Sequence, residues 1–106
     1  MKLPKQIRVG YRNIKIEAMT GLQADAEECH GRFNDEQGIV KVRQEDRPDA
    51  FQANTLMHEL FHAIWKEQGL DDTAKEETVC DRFATGVLQL FRDNPNLYPT
   101  LMEAIK

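Results

Sequence analysis

Asn54-Thr55-Leu56-Met57-His58-Glu59-Leu60-Phe61-His62-Ala63-Ile64-Trp65 is the stretch from which the rest of the chain can be read. Leu56, Leu60, Ala63 and Ile64 recur at three- and four-residue spacing, the stripe of an amphipathic helix. No Gly or Pro interrupts the run from Asp49 to Gln68. Asp49 follows Pro48 as a candidate N-cap, and Gly69 is a stop signal. The spacing predicts a helix near 49–68 with one face bound for a core. Thr55, His58, His62 and Trp65 share a neighbouring face.

His58 and His62 stand four apart, one turn above the other. With Glu59 they spell His-Glu-x-x-His. Two imidazoles so placed can grip one tetrahedral ion, with the glutamate beside them. Zinc held there lowers the pKa of a water towards neutrality, and a nearby carboxylate takes the proton as the water attacks a carbonyl. The bland alternative is a helix whose histidines merely face solvent. The chain has three histidines, and two of them are here.

A third ligand is expected from a following element. Thr73-x-x-Glu76 reads as a capping box, with Thr73 as N-cap and Glu76 reaching back to its amide. The helix it opens runs towards Phe91 and ends before Asn94-Pro95. The connection is short, so the two helices should pack antiparallel. Glu77 then falls in the first turns, able to face the histidines, and the capping role of Glu76 favours Glu77 as the ligand. Asp81, one turn on, is placed to hydrogen-bond the free ring nitrogen of a ligand histidine and so fix its tautomer.

His58-Glu59-x-x-His62 followed by Glu77-x-x-x-Asp81-x-Phe83-Ala84 resembles the glutamate-zincin metallopeptidases, and within them the ImmA/IrrE-like branch. The resemblance covers roughly residues 37–92. It implies a zinc ion held by His58, His62 and Glu77, with Glu59 as general base and acid and Asp81 supporting a ligand histidine. It implies a peptide or protein substrate bound along a strand at the edge of the site, with residues 39–43 near that edge. It also suggests a small stand-alone protease of the kind phages and mobile elements carry. Phe61 departs from the pattern, being bulky where many ImmA/IrrE-like chains have a small residue, and only fourteen residues separate His62 from Glu77.

The remaining sequence frames this site. The 106 residues are read as one domain, 1–106, with one modest core. A net charge of −4 with scattered basic residues argues against a nucleic-acid partner. No apolar run suits a membrane span, and Met1–Lys5 lacks the apolar stretch of a secretory signal. Two cysteines, Cys29 and Cys80, are too few for a disulfide framework, so a reducing cytoplasm is expected.

Residues 6–19 alternate loosely and predict one or two strands, with a turn near Arg12-Asn13. Residues 20–30 are ambiguous between short helix and turn. Gly31–Phe33 and Ile39–Arg43, around the turn chemistry of Asn34–Gly38, predict a hairpin. The expected fold is α+β: a small antiparallel or mixed sheet from residues 6–43 packed on two antiparallel helices, 49–68 and 73–92. A terminal helix, 100–105, should pack Leu101 and Ile105 on the core, and Val87, Leu88, Leu90 and Phe91 should be the core of the second helix. His30 reads as a surface residue, Cys80 as a small core filler and Arg82 as a solvated charge. Trp65 suits either cleft or core. Tyr98 is a candidate donor to an oxyanion. The rival to a peptidase is a zinc-stabilised binding module, in which Glu59 is dispensable.

Overall fold

The structure is a computed structural model describing residues 1–106. The period-two alternation of the first third becomes strands β1 (Gln6–Val9) and β2 (Arg12–Met19). They pair antiparallel, with Val9 opposite Arg12, so the turn is Gly10-Tyr11, two residues earlier than the sequence suggested. The ambiguous segment is helix α1 (Gly21–Glu27). Thr20 and Gln23 form a capping box that satisfies its first amides, a signal present in the sequence.

Strands β3 (Gly31–Asn34) and β4 (Ile39–Arg43) form the expected hairpin. β4 lies parallel to β2, so the sheet is mixed, in the order β1-β2-β4-β3. β4 is therefore internal. The open edge beside it is β3, so residues 39–43 lie near that edge, one strand in.

Helix α2 (Asp49–Glu67) lays its apolar stripe on one face of this sheet. Leu56, Leu60 and Ile64 are almost wholly buried against Ile7, Ile14, Val40 and Val42. Each such side chain contributes about 1.5–3 kcal/mol of transfer free energy. Pro48 occupies the N-cap position instead of Asp49, whose carboxylate pairs with the N-terminal amine. Gly69, at φ +68, follows the helix end.

Helix α3 (Glu76–Asp93) starts later than the sequence suggested. Thr73 makes no capping box with Glu76. Its amide and hydroxyl both donate to Asp71 Oδ1, at 2.9 and 2.6 Å, which holds the Asp71 carboxyl below its ordinary pKa. Thr73 is thus used up inside the loop, and Lys75 is the N-cap with no side-chain bond. α3 returns antiparallel over the end of α2. Arg82 is exposed, as expected of a solvated charge, and also donates to the Gln68 carbonyl at the end of α2. Gly86 lies so close to Ile64 that a Cβ there would stand 2.6 Å from Ile64 Cγ2. Beyond this crossing α3 leans on β1. Asn94 holds the Arg8 backbone through both its amide groups, at 2.8 Å each.

Leu90 is core, and Val87 and Phe91 pack against it half-buried. Leu88, expected inside, is 72% exposed, because it sits on the far side of a helix that touches the core along one narrow line. Cys80 is exposed as well, not a core filler. The last helix, α4 (Leu97–Ala104), begins three residues before the expected one and accommodates Pro99 in its first turn, where the missing amide costs nothing. Leu97 and Leu101 enter the core, while Ile105 lies beyond the helix end and is exposed. The fold is α+β, as expected. No helix is long and apolar enough to cross a membrane.

Candidate metal centre

Which face of α2 points where follows from its core stripe. A helix turns about 100° per residue, so with Leu56, Leu60 and Ile64 against the sheet, His58 and His62 must point outward. Both are exposed. Glu59 lies between these two faces and turns towards β3, where it is buried.

The two histidines aim the same atom at one point. His58 Nε2 and His62 Nε2 are 3.3 Å apart, with the rings at 77° to one another. Two nitrogens bound tetrahedrally to one zinc at 2.0–2.1 Å are separated by about 3.3–3.4 Å. The pair therefore already has the spacing of two ligands on one ion. Glu59 Oε2 is 4.0 Å from His58 Nε2. His58, Glu59 and His62 are the group whose donor atoms all lie within 4.8 Å of one another. Donor types and spacing both fit zinc.

Glu59 is a buried carboxyl with its pKa raised. Desolvation is the largest cause and outweighs the opposing pull of His58, His62 and the backbone amide of Phe33. The direction of that amide follows from register. Arg43 donates to the His30 carbonyl at 2.9 Å, so His30 is hydrogen-bonded to β4. In an antiparallel ladder such pairs alternate, which leaves Gly31 and Phe33 with their backbone polar groups directed to the open edge.

The histidine face lies between two walls. On one side is the edge of β3, with His30 packed edge-on against Phe51 at 5.0 Å. On the other is an aromatic row. Phe61 meets Phe83 at 5.4 Å, and Trp65 meets Phe83 at 6.1 Å. Trp65 thus serves the seam between α2 and α3. A surface groove of about 970 Å³ lies elsewhere, between Leu3, Ile7, Leu97 and Thr100, and contains neither histidine of the pair.

The other residues singled out in the sequence are not brought to the pair. Glu77 is exposed in the first turn of α3 and does not join the group. The fourteen intervening residues are taken up by the last turn and more of α2 and by the loop, so α3 has barely begun at Glu77. The closest approach of the two helices, at Gly86, comes nine residues later, about 13 Å of helix rise and half a turn round from Glu77. Asp81 is exposed and makes no hydrogen bond to either ring. Tyr98 packs edge-on against Phe91, half-exposed. His30 is a surface residue, as expected. Sequence reasoning missed Gly31 and the Phe33 amide. The available signal was a glycine inside a strand, which often marks a close backbone approach.

No known protein family matches the chain, and no curated protein or solved structure shows a significant match to it.

Proposed function

We propose that this chain is a small zinc-dependent metallopeptidase of the glutamate-zincin type. The observation that carries the reading is the 3.3 Å separation of the two Nε2 atoms beside a buried carboxylate at 4.0 Å. His58 and His62 hold the ion in this reading, and Glu77 has the donor chemistry of a third ligand. In this reading Glu77 approaches the pair by a movement of its side chain or of the first turn of α3. That turn is exposed, and no side chain caps it. Zinc held there would lower the pKa of a water and polarise a carbonyl.

The chain's own residues do the rest. Glu59 takes a proton from the attacking water and delivers it to the leaving amine, and its burial keeps it basic enough for the task. The outward-facing backbone groups of Gly31 and the carbonyl of Phe33 suit an extended peptide added to β3 as another strand.

The test is a peptide library incubated with the zinc-loaded parent and with Glu59→Gln. The reading expects cleavage by the parent and none by the variant, with equal zinc content. Cleavage that survives in Glu59→Gln would remove Glu59 from the chemistry.

A second reading has its own observation. Glu77 stands apart and His58 is 67% exposed, so the pair resembles an open cation site on a binding module. That reading expects zinc in both chains and cleavage in neither.

A further inference from the structure

We propose that Gly31 is a positioning residue for Glu59: the absence of a side chain there lets the acid lie against the edge strand, beside Phe33. A Cβ built on Gly31 would stand 2.6 Å from Thr55 Cγ2, 3.0 Å from the Lys41 carbonyl oxygen and 3.3 Å from Glu59 Cγ. The first distance is shorter than carbon–carbon contact allows, and the third leaves no slack. None of these neighbours can yield freely. The Lys41 carbonyl belongs to β4, an internal strand of the sheet. Thr55 is buried, and its hydroxyl donates to the Phe51 carbonyl at 3.0 Å, which fixes where Cγ2 points. Glu59 lies one turn after Thr55 on the same side of α2.

A methyl group at position 31 therefore has to push α2 off β3 at this one place. The helix cannot simply translate, since Leu56 and Leu60 are locked in the core below. The displacement falls on Thr55 and Glu59, the two side chains between helix and strand. His58 and His62 project from another face and are spared. The consequence for catalysis rests on the role proposed above for Glu59. The positioning itself does not.

The experiment reads the Phe33 amide by proton–nitrogen NMR in the metal-free full chain. Glu59→Ala sets the position of the signal without the carboxylate. Gly31→Ala is expected to move the signal in the same direction, at least half as far. Adding Thr55→Ser, which deletes Cγ2 but keeps the hydroxyl, is expected to bring it most of the way back. Zinc affinity of Gly31→Ala should equal the parent's, which a general loosening of the fold would not allow. With an active parent, kcat should fall roughly ten- to hundredfold at unchanged KM, as for other small misplacements of a catalytic group.

A Phe33 signal that stays at the parent position in Gly31→Ala, or that ignores Glu59→Ala, overturns the proposal. If Gly31→Ala does not fold, Gly31→Ala/Thr55→Ser is compared with Thr55→Ser alone. A smaller shift in the same direction supports the proposal there, and no shift overturns it. A parent that binds no zinc sinks the function proposed above and leaves this test standing.

Discussion

α2 has two neighbours, and they hold it differently. On the β3 side the contact is close, with Gly31 against Thr55 and Glu59, and Glu59 is buried. On the α3 side the contacts are made by Arg82, Phe83 and Gly86, while Glu76, Glu77 and Thr78 in the first turn are exposed. The difference separates side chains that packing fixes from one that it leaves exposed. The histidine spacing and the acid beside it are set by α2 and its strand. The donor on α3 is not held by any packing.

The largest test of this contrast is in the core under the site. Leu60→Ala should cost about 2–5 kcal/mol in chemical denaturation, since it empties the contact between α2 and the sheet. A loss below 1 kcal/mol would mean that the helix is not fixed as described. Zinc binding should divide along the same line. Glu77→Ala should weaken it roughly tenfold if the first turn of α3 is drawn in, since part of that ligand's gain goes into moving the turn. Equal affinity in parent and variant would leave the site to the two histidines and favour the binding-module reading.

How much of this was legible in the sequence follows from the same contrast. The periodicity of residues 49–68 gave the helix, its core face and the outward histidines, because a single helix fixes all three through its 100° step. The hairpin at 31–43 followed from its turn chemistry. What the sequence did not reveal depended on a local choice at one loop and on tertiary register. Whether Thr73 caps a helix or closes a turn on Asp71 is a contest between two local hydrogen bonds, and Asp71 won. That moved the start of α3 to Glu76 and left Glu77 exposed in its first turn. Likewise, nothing in Ile39–Arg43 says that β2 will pair with it in parallel and make it internal. The role of Gly31 was hidden for the same reason, since it depends on which helix crosses above it.

Acidity probes the packed side more gently. The Glu59 carboxyl is raised on folding, mainly by burial. A group raised in this way favours the fold below its unfolded value and loses that contribution as pH climbs through the folded one. The metal-free parent should thus lose stability from about pH 4.5 upward relative to Glu59→Gln, and the two should converge below it. A difference of the opposite sign would show Glu59 held by ion pairs. The smallest effect belongs to the free side of α3, where Leu88→Ala should change stability by no more than about 0.5 kcal/mol.

The central claim, that α2 presents a ready pair of metal ligands, is tested most directly by zinc titration of the parent against His62→Ala in a competing chelator. The account predicts one equivalent bound by the parent and an affinity at least about a hundredfold weaker in His62→Ala, the loss of one of two imidazoles on a tetrahedral ion. No zinc bound by the parent near neutral pH, or equal binding by both chains, would contradict it.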